Sequence, residues 1–308
     1  MLMDDKNLSF DQLSSGRTEL TFPALEKMLK NKIGLKTLRK DTLITLDLYS
    51  LDFGYTNAGL LFSSENAFPG IEIIRFGKSD NEILTRKTFS NQSVLDQYEN
   101  VCDFFELFYS VEKIEGMERN KVFQIPQTAF REALANALVH RDWSLNNVSV
   151  RLFMYEDRVE ILSPGGLPKP GSLPKGVTED LYLHEYYSVV RNPQIAYVFL
   201  RLGLIEKFGT GIARIMDAYK SEMIKPAFQI TPNTIKVTLP LTGQHDTLDN
   251  EQRPIYQYLK VHSYASRLEI EKHCGYSRSK TTNLLNRMMS EHIIGRTGNS
   301  RSVQYFIL

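Results

Sequence analysis

The chain has 308 residues, 42% hydrophobic and 24% charged, enough at ~100–200 residues per domain for two domains or three small ones, and unlike a disordered or collagen-like chain. Lys and Arg number 37 against 36 Asp and Glu, so no global field draws the chain to nucleic acid or membrane, and any such attraction must be local. Two cysteines, Cys102 and Cys274, lie far apart in sequence, with no disulfide framework and no paired metal-ligand spacing. No apolar run reaches the ~18–20 residues of a membrane helix, and the first ten residues carry acids where a signal peptide carries bases. A soluble, cytoplasmic protein is expected.

Residues 1–120 alternate short elements and are read as an α/β subdomain of unassigned role. The apolar spacing of FPALEKMLKNK (22–32) suits a short helix. TNAGLLFS (56–63) and GIEIIRFG (70–77) read as strands bounded by Gly and Pro. Residues 94–114 have a helical period, with Leu95, Tyr98, Val101, Cys102, Phe105 and Phe108 on one stripe.

Residues 121–245 carry the most information. Pro126 suits the first turn of a helix running to about Val139. Residues 147–163 read as a hairpin turning at Glu156 and Asp157. The Gly/Pro-rich stretch 163–176 can hardly be regular structure. Helical segments over 179–201 and the turn FGTG (208–211) follow, and Gly211 opens a further helix. Residues 228–239 read as a second hairpin. Residues 242–252 are polar and aperiodic, and are read as a linker.

The helix after Pro126 separates two stripes. Phe130, Leu134, Ala137 and Leu138 make an apolar face. Glu132, Asn136 and His140, at i, i+4 and i+8, make a polar one. A carboxylate one turn before a carboxamide can do two jobs side by side. The Glu can orient or deprotonate a water, and the Asn oxygen can coordinate Mg2+, a hard cation that prefers oxygen. A solvated helix face is the plain alternative for this helix taken alone. Its context is Gly165-Gly166, a long irregular segment, then Gly209-Thr210-Gly211 opening a helix. Glycines let a backbone approach a ligand closely, and helix starts favour anions. That order can be read as metal site, base, lid and phosphate cradle of a nucleotide pocket.

Here the sequence resembles a family. EALANALVHRD (132–142), SPGGLP (163–168), RNP (191–193) and EKFGTGIARI (206–215) look like the ATP-binding module of a group of prokaryotic transcriptional-regulator-like proteins, many of them labelled RecG-related and helicase-like. That module belongs to the GHKL superfamily. Residues 51–62 also resemble the segment that precedes the module in that group. The resemblance implies a Bergerat-type sandwich, a mixed sheet backed by helices. It implies Glu132 as general base and Asn136 as Mg2+ ligand, with Asn136 and His140 in the cofactor site. Gly165 and Gly166 would form the first glycine motif, Gly209, Thr210 and Gly211 the second, and 167–208 the lid. The superfamily's first glycine motif normally carries an Asp that accepts from the adenine amino group; here Ser163 and Pro164 precede the glycines. Members of the group often begin with a Schlafen/AlbA-like domain, and this chain starts too late to hold a full one, as in a short or trimmed member.

Three other matches carry less. HRDWSLNN (140–147) spells the protein-kinase catalytic loop, but Asp52-Phe53-Gly54 precedes it instead of following it. GKS (77–79) lacks the glycine five residues earlier that a phosphate loop needs; Glu72 stands there. Trp143 is expected in the core.

Residues 251–308 hold nine bases against four acids, about +5, leaving about −4 for the rest. The pattern is three helices and a hairpin. The helices lie near 253–262, with Ile255, Tyr258 and Leu259 inward, near 267–275, ended by Gly275, and near 277–293, with Ser277 as N-cap. The hairpin turns at Gly298 and Asn299. Three helices and a hairpin in ~55 residues resemble a winged helix-turn-helix, whose third helix enters the major groove. Ser277, Arg278, Ser279, Lys280, Asn283, Arg287, Arg296 and Arg301 are the candidate DNA contacts. A winged helix used for protein contact is the alternative.

The expected protein is therefore α+β in three parts: an N-terminal α/β subdomain (1–120), a Bergerat, GHKL-like module (121–245) and a winged helix (250–308). It is expected to bind ATP, Mg2+ and double-stranded DNA and to regulate transcription, with a homo-oligomer as one arrangement. A DNA-associated ATPase with weak turnover, or a scaffold with a decayed pocket, are the rival readings.

Overall fold

The structure, a computed structural model, describes residues 8–115, 118–167, 190–205, 209–222, 224–242, 248–291, 293–298 and 302–307. The chain divides into two units, residues 1–242 and 243–308.

The first unit opens with a 3-10 turn at Phe10–Gln12, then α1 (Pro23–Ile33), α2 (Lys40–Thr45), the short strands β1 (Tyr49–Ser50) and β2 (Gly54–Tyr55), and α3 (Asn57–Phe62). Helix α1 forms where its apolar spacing places it, burying Ala24, Leu25, Met28 and Leu29. Residues 56–63 are a helix, not the expected strand. The Thr56 hydroxyl accepts the Gly59 N–H and caps α3, as an N-cap threonine does. Five of the six helical residues are buried, and an all-buried run has no periodicity from which helix and strand can be told apart.

Next come β3 (Ile71–Phe76), β4 (Ile83–Phe89), α4 (Val94–Tyr109), β5 (Ser110–Glu115), β6 (Glu118–Phe123), α5 (Gln127–Val139), β7 (Val150–Met154) and β8 (Arg158–Pro164). After these lie α6 (Pro193–Arg201), α7 (Gly211–Ala218), β9 (Ala227–Ile230) and β10 (Thr234–Pro240). The helical stripe over 94–114 ends at Tyr109; residues 110–115 pair instead with β6 as a hairpin. The two hairpins at β7–β8 and β9–β10 form in the expected segments. Of the helical reading over 179–201, α6 is seen, and residues 179–189 lie outside the described residues.

Six strands make one mixed sheet in the order β4-β3-β7-β8-β10-β9. Only β3 and β7 run parallel among its neighbours. One register row runs Lys87, Ile73, Leu152, Ile161, Val237, Phe228 across all six strands. Ile73, Leu152, Ile161 and Val237 are buried, and α4 and α5 pack on that side of the sheet. The alternate positions carry Glu72, Arg151, Glu160 and Lys236, which pair across strands. A sheet with one packed and one charged face gives this period of two. The sheet takes two strands from before residue 120 and four from after it, so the boundary expected near 120 does not divide the fold: the residues on both sides share one core.

The second unit contains α8 (Gln252–His262), α9 (Arg267–Cys274), α10 (Arg278–Ser290), β11 (Ile294–Thr297) and β12 (Gln304–Ile307). Ile255, Tyr256 and Leu259 face inward on α8. Tyr258, expected there, is half-buried and stacks on His273 with 4.3 Å between ring centroids. Gly275 ends α9 in the left-handed conformation, and Ser277 caps α10 by accepting the Lys280 N–H. β11 and β12 pair antiparallel. Ala265, between α8 and α9, exchanges both backbone hydrogen bonds with Tyr305 of β12.

Candidate functional site

Helix α5 crosses the core, and its apolar face, Phe130, Leu134, Ala137 and Leu138, is buried as expected. Its polar stripe is partly covered, with Glu132 buried and Asn136 and His140 half-buried. The Glu132 side chain is only 6% exposed, because α7 packs against α5 on that side. Two contacts make the packing specific. Glu132 Oε2 accepts from Arg214 Nη1 at 3.1 Å. A Cβ on Gly211 would lie 2.5 Å from Glu132 Oε1 and 2.7 Å from Asn136 Nδ2, so any larger residue there would require the ends of these two side chains, or the start of α7, to shift. The second glycine motif thus meets the base and metal candidates directly. Asn136 is half-buried, as is His140, whose N–H closes the helix on the Asn136 carbonyl. Gly209 is half-buried and Thr210 exposed, and the Thr210 carbonyl accepts the Arg214 N–H at 3.0 Å.

The first glycine motif follows strand β8. Gly165 ends β8 with φ of +95°, and a Cβ there would fall 2.6 Å from the Asp142 Cβ. Gly166 packs on the backbone of Thr231 and Pro232 in the β9–β10 turn. Arg191 ties these parts together: it pairs with Asp142 at 3.0 Å and donates to the Gly166 carbonyl. Where the superfamily pattern has an Asp, Ser163 is buried and donates to the Ala137 carbonyl of α5 at 2.7 Å. The carboxylate beside the glycines is Asp142, already bound to Arg191 and Ser144. Residues 168–189 and 206–208 of the expected lid lie outside the described residues.

Arg214, Asp142 and Arg191 were not among the sequence candidates. All three lie inside the motifs GTGIARI, HRD and RNP, so the signal was their place within a motif and not any spacing. The HRD arginine, Arg141, is fully buried. It donates to the carbonyls of Pro69 and Val148, and lies 4.1 Å over the Trp143 ring. Burial pulls its guanidinium down to about 10, which leaves it charged at neutral pH. Trp143 is core, as expected, and donates to the Leu138 carbonyl.

As a metal site the donor set is sparse. Among the described residues no group of three His, Cys, Asp or Glu could hold a metal ion. One carboxamide oxygen on Asn136, beside one carboxylate, fits the manner in which Mg2+ is held through few protein oxygens, with phosphates and water completing the shell.

In the second unit Arg278, Ser279, Asn283, Arg287 and Arg296 are exposed, and Ser277 is exposed as well as capping α10. Lys280 pairs with Glu251 at 2.7 Å and lies over the Tyr276 ring. Arg287 pairs with Asp249. Arg301 lies outside the described residues.

A mixed sheet with packed helices is consistent with an α+β ATPase-like fold. Residues 147–239 match the family model described as "Putative ATP-dependent DNA helicase recG C-terminal". The match spans the glycine motifs and α7 and begins past the end of α5, so Glu132 and Asn136 precede it. The crystal structure of the DIP2311 protein from Corynebacterium diphtheriae is similar in fold, with a TM-score of 0.64 at 18% identity. The likeness covers 97% of this chain, which spans 64% of that one. No curated protein matches the chain in sequence. No described helix is long and apolar enough to cross a membrane.

Proposed function

We propose that the first unit binds ATP with Mg2+ along α5 and α7, and that the second is a winged helix that binds double-stranded DNA. Bound nucleotide modulates DNA binding, and the chain acts as a transcriptional regulator. The observation that carries the nucleotide reading is the meeting of Gly211 with Glu132 and Asn136. An acid, a carboxamide and a glycine-started helix converge there, inside or beside the segment that matches an ATPase-like family. Asn136 would hold the metal, which supplies charge neutralisation to the phosphates when bound. The DNA reading is supported by the basic composition of the last 58 residues and by exposed Arg278, Ser279 and Asn283 on the first turns of α10. The Ala265–Tyr305 bridge, which ties the hairpin to the α8–α9 connection, also suits a winged helix.

The DNA-associated ATPase is the second reading. Glu132, one turn before Asn136, is the observation that favours it, since a carboxylate placed there can activate water.

Thermal unfolding with and without ATP and Mg2+, on the wild type and Asn136→Ala, tests the nucleotide site. At ligand ~100-fold above Kd, binding adds roughly 2.7 kcal/mol, a clear rise in melting temperature that Asn136→Ala should weaken. No rise at saturating nucleotide would leave a scaffold with structural glycines. Duplex DNA titrated with and without ATP tests the coupling, and a salt-independent DNA affinity would count against phosphate contacts. Phosphate release compared with Glu132→Ala separates regulator from ATPase.

A further inference from the structure

We infer that the first unit carries a surface of its own for single-stranded nucleic acid, made of Lys36, Arg39 and Lys40 beside a cleft lined by Tyr49 and Tyr55. The inference is independent of the nucleotide site and of the α10 contacts proposed above.

The first 250 residues are net acidic, yet residues 26–41 hold six bases, Lys27, Lys30, Lys32, Lys36, Arg39 and Lys40, against Glu26 and Asp41. That is about +4 over the last turns of α1, the connection after it and the start of α2. All six bases are exposed. Two are engaged within the fold: Lys27 pairs with Glu99 at 3.6 Å and Lys30 with Glu26 at 3.0 Å. Among the described residues no carboxylate pairs with Lys36, Arg39 or Lys40. Exposed cations clustered without acids make a local positive field, whose complement is a polyanion.

The cleft decides which polyanion. Its volume is about 460 Å3, within the range of ligand pockets. Leu20, Phe22 and Leu43 are buried in its wall. Tyr49 and Tyr55 line it half-buried, edge to face with ring centroids 4.9 Å apart. Arg39 and Lys40 line it too, and Lys40 Nζ lies 4.0 Å from the Tyr49 centroid. The acid in the lining, Glu26, accepts the Leu38 N–H at 3.3 Å and pairs with Lys30, so the cleft keeps a positive balance. Cations and aromatic rings thus stand at one opening. Unpaired nucleotides offer the complement of both, phosphates for the cations and flat base faces for the tyrosines. A duplex offers the phosphates but keeps its bases stacked inside. An acidic peptide offers carboxylates without the flat faces. Stacking of this kind is tolerant of sequence, because every base has a π-face.

The experiment is fluorescence anisotropy of the full chain with labelled oligothymidylate and oligouridylate of about 12 nucleotides, a length suited to one such groove, and with a duplex of equal length. Lys36→Gln, Arg39→Gln and Lys40→Gln together should weaken the single strands about tenfold at low salt. Their salt slope should become shallower by about two, at ~0.7 per phosphate contact. Tyr49→Leu should weaken them about fivefold or more with the slope unchanged, and Tyr49→Phe, which keeps the ring, should bind like wild type. Arg278→Gln with Asn283→Ala, in the second unit, should leave single-strand affinity as it is. A preference for one oligonucleotide names the strand as DNA or RNA. Wild type that binds neither, or a triple variant that binds both like wild type, would overturn the inference. Duplex bound as tightly through the same three cations, with Tyr49→Leu silent, would make this a duplex-backbone surface and overturn the single-strand assignment. Binding of polyglutamate and of neither oligonucleotide would make it a surface for acidic proteins instead.

Discussion

The Asp11 carboxylate accepts the Gln194 backbone N–H at 2.8 Å across 183 residues of chain. The same oxygen accepts the Ile195 N–H at 3.2 Å, so a fully buried acid near the N-terminus holds the first turn of α6. Ala at position 11 leaves two N–H groups without this acceptor, at about 1–3 kcal/mol for each that stays buried. Asp11→Ala should therefore lower the melting temperature by several degrees, and Asp11→Asn, which keeps an acceptor oxygen, by much less. Burial raises the Asp11 carboxyl above its ordinary 3.8, against the lowering by Ser9 and the two N–H groups. The stability from a raised acid is complete below the ordinary value and is lost as pH rises through the raised one. Wild type should thus lose stability relative to Asp11→Asn as pH climbs from about 4. Parallel pH profiles for the two proteins would sink this account.

Arg141 is held by backbone carbonyls and by Trp143. Arg141→Met removes the donor from both sides of the loop after α5, and a loss of about 3 kcal/mol is expected. Lys should rescue little, because it cannot fork between Pro69 and Val148 while lying over the indole. Urea unfolding followed by the emission of Trp143, the only tryptophan, reads both effects. A midpoint unchanged in Arg141→Met would show that solvent replaces the guanidinium without cost.

Gly211→Ala places a methyl 2.5 Å from a carboxylate oxygen that has almost no exposed surface to retreat to. Either the Glu132 and Asn136 side-chain ends shift from their present partners or the start of α7 moves away from α5, at a cost of about 1–3 kcal/mol. Nucleotide affinity should fall with it, even though no proposed ligand-touching side chain has changed. A variant that melts and binds like wild type would mean that Glu132 swings aside freely.

In the second unit, Glu251 and Asp249 occupy Lys280 and Arg287. The hydrogen bond to Glu251 is the chief reason the Lys280 ammonium is held above its usual range. Exposed pairs of this kind do little for stability, so Glu251→Gln and Asp249→Asn should melt like wild type. If α10 faces DNA, each frees a cation for a phosphate. Affinity for duplex DNA should then rise severalfold at low salt, with a steeper salt dependence. Fluorescence anisotropy between about 50 and 200 mM salt covers the range where phosphate contacts dominate. Unchanged affinity in both variants would place the DNA elsewhere or nowhere.

What could be read in the sequence was what neighbours in sequence decide. The periodic helices α1 and α5 and the Ser277-capped α10 lie where their spacing puts them, and so do the β7–β8 and β9–β10 hairpins, whose turns carry their own residues. Strand β4 gave no signal, because it is the charged edge of the sheet and buries little beyond Phe89. The hairpin β5–β6 is polar along most of its length and hid behind the end of α4. Helix α3 reads as a strand in the sequence because burial on all sides erases periodicity. At the candidate site the residue types were legible and their neighbours were not. Nothing local tells that Arg214 lies on Glu132, 82 residues before it, or that α7 covers the polar stripe of α5. Taken alone the stripe reads as a solvated or ligand-facing surface; tertiary packing buries Glu132 and leaves Asn136 and His140 half-buried.

The parallel pairing of β3 with β7 joins residues 71–75 to 150–154, with β4, α4, β5, β6 and α5 between them. During synthesis the centre of the sheet cannot close until the ribosome has released the latter strand. Until then the β3–β4 hairpin offers Ile71 and Ile73 on an open edge, the kind of edge to which other chains adhere. A fragment cut near residue 120 keeps that edge permanently, so chaperone dependence and aggregation of nascent or truncated chains should concentrate there.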